Sequence, residues 1–322
     1  MTESIYQKTD VAPVASMTNE AKQDLPAALI TDHHSVAVAS PPPVPHLILR
    51  PGSAWKIVDL AEVWHFRDLL FSLAGRDLKL RYKQTILGVA WVILQPLLAS
   101  LIFTFVFGIL GGMAKGHPHY FAIAFAGQMG WYLFANIISR SSTCMVANTN
   151  LVSKVYFPRI ILPVSASFSV LVDFACSFAV MIILLLIYHI NPGIAIVLIP
   201  VWMLILMGTA LGLGMIAASL AVSFRDIQYI LPIFMQMLMY ASPVGYPLSV
   251  VTEKLHKHHP ILAQWYPVNP LVGVLSAFRY SLLGTGRLPI IPLAWSAVFG
   301  VIMFVIGLFT FKRLESRFAD VI

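Results

Sequence analysis

The fold class this sequence predicts is an all-α integral membrane protein, on three observations. Hydrophobic residues fill 58% of the 322 positions and charged residues only 11%, against roughly 45–50% and about 25% in ordinary globular domains, and the mean hydropathy is +0.81. The apolar residues gather into uncharged stretches long enough to cross about 30 Å of hydrocarbon at roughly 1.5 Å per residue. The basic residues sit at the ends of those stretches. In lipid only helices and closed barrels satisfy their own backbone, and stretches of this length select helices.

The first element is residues 1–50, rich in Ala, Val, Ser, Asp and Pro and closing with Pro41-Pro42-Pro43-Val44-Pro45. A basic start followed by an apolar core is absent here, so the segment reads as a disordered cytoplasmic tail with a stiff polyproline end rather than a signal peptide. Residues 51–85 form the second element. Asp59, Glu62, His65, Asp68, Ser72 and Arg76 recur at steps of three and four among Leu60, Val63, Trp64, Leu70, Phe71 and Ala74. That spacing predicts an amphipathic helix in the cytoplasmic interface, either a plain anchor or a docking surface. It ends in a basic collar, Arg76, Lys79, Arg81 and Lys83, abutting the uncharged run Ile86–Leu110.

The third element, residues 86–322, is the transmembrane domain. Six spans are expected near 86–110, 120–139, 160–188, 195–222, 229–247 and 290–311, and the only charge inside them is Asp173. An even number of crossings puts both termini on one side. That side carries sixteen Lys and Arg against five on the other, which places both termini in the cytoplasm. Between the fifth and sixth spans, Trp265-Tyr266-Pro267-Val268-Asn269-Pro270 leads into the apolar run Leu271–Leu283, too short to cross. Two proline breaks and a short apolar helix predict a re-entrant helical pair over about 255–287, allowed where protein or a water-filled cavity covers the broken backbone. A folded external lid is the alternative.

Several kinds of chemistry are missing. The net charge of +7 lies at span ends, where topology and anionic headgroups account for it without nucleic acid. Cys144 and Cys176 show no metal-ligand spacing and no disulfide framework. No Gly-Lys pair occurs, so no Walker A loop cradles a nucleotide. Of fourteen acids only Asp173 is intramembrane and only Glu253 external, which leaves the external face without paired carboxylates for hydrolysis or glycosyl transfer. His256-Lys257-His258-His259 lacks nearby carboxylate or cysteine partners and reads as a solvated loop rather than a metal site. Asp173 is either a proton relay or polar glue between helices. Gly208, Gly212 and Gly214 offer a flat surface for close helix packing.

Four blocks, RYKQTILGVAWVILQPL (Arg81–Leu97), VSKVYFPRIILPVSA (Val152–Ala166), FRDIQYILPIFMQMLMYASPVGYP (Phe224–Pro247) and YPVNPLVGVLSAFRYSLLG (Tyr266–Gly284), follow in the order and spacing of a known family. The chain resembles the type-2 ABC exporter permeases, the transmembrane subunits of polysaccharide and polyol phosphate export, of the O-antigen exporter kind. The resemblance implies a homodimer of six-span subunits with two separate ATP-binding cassette subunits docked beneath. The chain itself then binds no cofactor, and ATP and Mg belong to the partner. It implies a coupling helix at about Asn150–Arg159, with Tyr156, Phe157 and Pro158 as an apolar knob flanked by Lys154 and Arg159.

The implied cargo is a glycan on a polyprenyl diphosphate carrier. Arg76, Lys79, Arg81 and Lys83 are placed to receive the diphosphate by charge-assisted bonds. Aromatic and amide side chains suit a sliding sugar chain, and Trp91, Gln95, Phe103, Tyr132, Asn136, Gln236 and Tyr240 are the channel-lining candidates. In the family, spans 1 and 5 border the lateral opening, and here Pro96 and Pro232 let those helices bend. O-antigen export leads; teichoic acid or capsule export, a membrane-embedded transferase acting on polyprenyl-linked sugars, and a pure scaffold subunit remain as alternatives.

Overall fold

A computed structural model describes residues 60–83, 88, 90–258, 260–284 and 288–321. The tail, its polyproline end, Asp59, residues 84–87 at the start of the first expected span, His259, and the side chains of Arg81 and His258 lie outside the described residues. Among the described residues every regular element is a helix.

The chain enters through two helices, α1 (Leu60–His65) and α2 (Arg67–Lys83). Helical bonds continue across the irregular residue Phe66, from the Phe66 N–H to Glu62 and from the Leu70 N–H to Phe66. Val63, Phe66, Leu69, Leu70 and Leu73 turn one stripe onto the bundle, while His65, Asp68, Ser72 and Arg76 of the expected polar stripe are exposed. Helix α3 (Ala90–Phe103) contains Pro96 and continues into a π-helical segment, Thr104–Leu110. Proline removes one backbone donor. Two hydroxyls follow it down the helix: Ser100 donates to the Pro96 carbonyl at 2.6 Å and Thr104 to the Ser100 carbonyl at 2.7 Å.

Helix α4 (Tyr120–Ala147) is the centre of the bundle, with Phe125, Met129, Phe134 and Ile137 fully buried. The expected span ended at residue 139; the helix runs eight residues further because Arg140 finds partners inside the bundle, as shown below. A short helix α5 (Thr149–Lys154) leads into α6 (Ile161–Ile187), and α7 (Ile199–Ser223) follows a 3-10 segment, Gly193–Leu198. The long closing helix α12 (Ile290–Val321) packs against α7. A Cβ on Gly212 would overlap the Met303 carbonyl, and one on Gly307 would overlap the Gly212 backbone, so these two glycines set the close approach. Gly214 instead faces Ser141 of α4, and Gly208 has nothing within 4 Å. The expected small-residue surface is thus divided between two neighbours.

Among the described residues, five helices are long and apolar enough to cross a membrane: Ala90–Leu110, Tyr120–Ala147, Ile161–Ile187, Gly193–Ser223 and Ile290–Glu315. The difference from the expected six lies at 229–247. There the helix is α8 (Ile227–Ala241), 15 residues long, because Pro243 has no N–H to continue it and forces Ser242 out of the helical region to φ −105°, ψ 153°. Beyond the turn come α9 (Leu248–His258), α10 (Pro260–Trp265) and α11 (Pro270–Leu283). Asn269 caps α11 by accepting from the Leu271 N–H at 3.0 Å, and Gly284 ends it in the left-handed region at φ 63°. Leu271, Val274, Leu275 and Phe278 of α11 are buried in the main core with α4 and α7.

Candidate functional site

Residues with functional chemistry fall into three neighbourhoods. The first is the junction of α1, α2, the α4–α6 connection and the end of α12. Of the expected knob, Tyr156 is 67% exposed, whereas Phe157 is 4% exposed and packs with Leu70, Met145, Ile161 and Phe311. Pro158 is also buried, so the exposed apolar pair is Val155 and Tyr156, beside an exposed Lys154. Buried Phe157 anchors the loop and aims Tyr156 outward.

Three polar contacts fasten that connection to its neighbours. The Arg76 guanidinium donates to Asn148 Oδ1 at 2.6 Å, joining α2 to the end of α4, and also meets Asp77 at 3.0 Å. The Tyr156 hydroxyl donates to Glu62 Oε1 at 3.5 Å. The Arg159 N–H donates to Glu315 Oε1 at 3.3 Å and its guanidinium to the Glu315 carbonyl, while Lys312 pairs with the other carboxylate oxygen at 2.7 Å. Arg76 therefore works as a bridge within the fold, and among the collar residues whose side chains are described Lys79 and Lys83 are exposed beside it.

The second neighbourhood is a cleft between α3, α4 and α6. It gathers Gln95, Tyr132, Asn136, Asp173 and Ser177 against Met129 and Phe174. Residues four apart share a helix face. Tyr132, Asn136 and Arg140 thus make one ladder on α4, and Ser169, Asp173 and Ser177 the facing ladder on α6. Arg140 Nη2 lies 3.6 Å from Asp173 Oδ2, and Arg140 Nη1 donates to Ser169 Oγ at 3.1 Å. Three of the seven channel candidates meet here. Phe103 is buried elsewhere, with Tyr120 and Ala124, and Trp91, Gln236 and Tyr240 are exposed on α3 and α8.

The third neighbourhood surrounds Arg279 of α11, one of the five cations that the loop count places opposite the termini. It is 7% exposed. Its Nε donates to the Ile123 carbonyl at 3.1 Å, its Nη1 to the Tyr246 carbonyl at 2.9 Å, and its Nη2 to the Val244 carbonyl. Gly127 on α4 makes the space, since a Cβ there would overlap both the Val244 carbonyl and the guanidinium. A lone cation within the apolar run Leu271–Leu283 was the signal available in the sequence. Among the described residues, no group of three or more His, Cys, Asp or Glu is placed to hold a metal ion.

Comparison with known proteins defines the class. Residues 68–283 match the family described as ABC-2 type transporter, more than half of the chain, and the chain belongs to that family of multi-pass membrane proteins. It is 28% identical over 261 residues to an O-antigen export system permease protein RfbA of Klebsiella pneumoniae, covering 79% of this chain and 95% of that one. With the RfbA of Myxococcus xanthus it shares 29% identity over 260 residues, 80% of this chain and 97% of the relative. The polysialic acid transport protein KpsM of Escherichia coli is 25% identical over 248 residues, 74% and 91% of the two chains.

Proposed function

We propose that this chain is the permease subunit of an ATP-driven exporter that moves lipid-linked O-antigen or a related surface polysaccharide across the bacterial inner membrane. The observation that carries the reading is the similarity to O-antigen export permeases over 95–97% of their length. In this reading the chain works as a homodimer with two ATP-binding subunits, α8 and the turn after it make the fifth of six crossings, and the re-entrant region at about 255–287 begins at the end of α9 and includes α10 and α11. Both termini are cytoplasmic. The absence of a Gly-Lys pair fits a subunit whose energy comes from a partner.

The parts then have distinct tasks. Val155 and Tyr156, with Lys154 beside them, dock in the ATP-binding subunit. Lys79, Arg81 and Lys83 attract the diphosphate of a polyprenyl carrier at the membrane surface by charge-assisted bonds, with Arg76 setting their distance from the docking loop. The amides and phenol of Gln95, Asn136 and Tyr132 exchange hydrogen bonds with sugar hydroxyls, and Trp91, Phe103, Gln236 and Tyr240 supply the remaining amide and aromatic groups of the path. Export of a polysialic acid-like polysaccharide is a second reading, favoured by the similarity to the polysialic acid transport protein KpsM.

The test is co-purification with the ATP-binding subunit of the same export system. Wild type should bring it down with ATPase activity, and Lys154→Ala with Tyr156→Ala should dissociate or uncouple the pair. If no ATP-binding subunit associates, the exporter reading fails.

A further inference from the structure

Helix α8 covers about 22 Å at 1.5 Å per residue, short of the roughly 30 Å of a hydrocarbon core. If it is a crossing, as proposed above, the turn Ser242–Pro247 lies at membrane depth. Irregular backbone is tolerated there only where other groups satisfy it. The turn meets that condition in detail. The Tyr246 hydroxyl donates to the Tyr240 carbonyl at 2.8 Å, Asn269 Nδ2 to the Ala241 carbonyl at 3.2 Å, and the Val244 N–H to the Ser242 carbonyl at 2.7 Å. The Tyr120 hydroxyl donates to the Gly245 carbonyl at 2.9 Å, and Arg279 takes the carbonyls of Val244 and Tyr246. Ser242 and Val244 are fully buried beneath these caps.

We infer that Arg279 is the positioning residue of transport at this end of the molecule: its guanidinium clamps the turn to α4, and Tyr120 and Asn269 complete the clamp. Guanidinium suits the task because it stays charged and presents five donors in a rigid fork. One side chain therefore reaches two carbonyls of the turn and, through Nε, the Ile123 carbonyl of α4. The ends of α8, α4 and α11 become one block, and bending of α8 is left to the segment around Pro232, whose ring removes an internal helix bond. The clamp grips backbone carbonyls, while Gly245, where a Cβ would overlap the Phe103 ring, and the Tyr246 hydroxyl hold the turn's own residues in the same place. The inference rests on the exporter reading for its role in transport, but the clamp itself can be tested without it.

The experiment uses the full chain in cells with its export partners and a Val244→Cys reporter, with Cys144 and Cys176 replaced by serine. Labelling by a membrane-impermeant maleimide is measured beside surface glycan and the ATPase activity of the purified complex. Arg279→Met should raise the labelling rate by about tenfold, the factor equal to about 1.4 kcal/mol, and lower export while ATPase activity persists. Arg279→Lys keeps the charge but not the fork and should fall between. Tyr120→Phe removes one cap, tolerates folding, and should shift both readouts in the same direction by less.

Unchanged labelling in both Arg279→Met and Tyr120→Phe overturns the clamp. Raised labelling with normal export overturns its role in transport. Loss of associated ATPase in the Val244→Cys reporter background and in wild type would instead sink the exporter reading and leave the labelling result standing.

Discussion

The two ends of this bundle are held together in opposite ways. At the basic end, the α4–α6 connection is tied to α2, α1 and α12 by side-chain contacts: Arg76 to Asn148, Tyr156 to Glu62, and Arg159 to Glu315. Arg76, Tyr156 and Lys312 are substantially exposed, and such contacts in water contribute roughly 0–1 kcal/mol each. At the Arg279 end the fastenings are buried and aimed at backbone carbonyls. Leaving a buried polar group without its partner costs about 1–3 kcal/mol. In the proposed exporter, one end is the junction that yields to the partner subunit and the other is the anchor that does not.

The largest effect should come from the buried pair between the two ends. Asp173→Ala removes the carboxylate facing Arg140 within the bundle, and breaking a buried ion pair costs about 3–5 kcal/mol. Because the Arg140 side chain keeps some exposure, the lower figure applies, about 3 kcal/mol. The thermal unfolding midpoint in detergent should fall, and Asp173→Asn should recover part of the loss by keeping an acceptor. If Asp173→Ala unfolds like wild type, the pair is not a structural fastening and the proton-relay reading gains.

Gly127→Val attacks the clamp from its other side. The new side chain overlaps the Val244 carbonyl and the Arg279 guanidinium, and forced overpacking costs about 1–3 kcal/mol. Gly208→Val, on a helix face with nothing within 4 Å, is the matched control and should change the unfolding midpoint little. Equal effects of the two would mean that valine in these helices, not the clamp, is responsible.

How far the sequence disclosed these ends differs as well. Four long helices and the closing one were legible because uncharged length is a one-dimensional property, and lipid enforces it. Helices do form before the first span, but the amphipathic pattern is mixed there: His65, Asp68, Ser72 and Arg76 are exposed, and so are Trp64 and Phe71 of the expected apolar set. What escaped was three-dimensional. Pro243 stands in the printed sequence, yet a proline in a membrane helix can bend it or end it, and the choice depends on whether other groups satisfy the freed carbonyls. Those groups, Tyr120, Asn269 and Arg279, come from distant segments. Phe157 was expected in an exposed knob because the family resemblance puts a coupling helix there between Lys154 and Arg159, and its burial depends on Leu70 and Phe311 from far along the chain. Gln95, Tyr132 and Asn136 were named for their chemistry, and the structure brings those three into one cleft with Asp173.

A smaller effect separates buried from exposed hydroxyls. Tyr120→Phe deletes the bond to the Gly245 carbonyl in a buried site and should cost about 1 kcal/mol or slightly more. Tyr156→Phe deletes the long contact to Glu62 in an exposed one and should cost well under about 1 kcal/mol. Tyr156→Phe keeps the ring that the proposed docking surface presents, so association with the ATP-binding subunit should survive while the tie to α1 is lost. The expected result is unchanged thermal stability and co-purification, with a reduced amount of glycan exported per ATP hydrolysed. Raising the salt concentration in the ATPase assay should have little effect on that hydroxyl contact. It should weaken the Lys312–Glu315 pair through its half-exposed Lys312, because screening acts on solvent-exposed charges. If Tyr156→Phe instead lowers stability as much as Tyr120→Phe, the basic end is as firmly built as the other, and the yielding junction must be sought outside the α4–α6 connection.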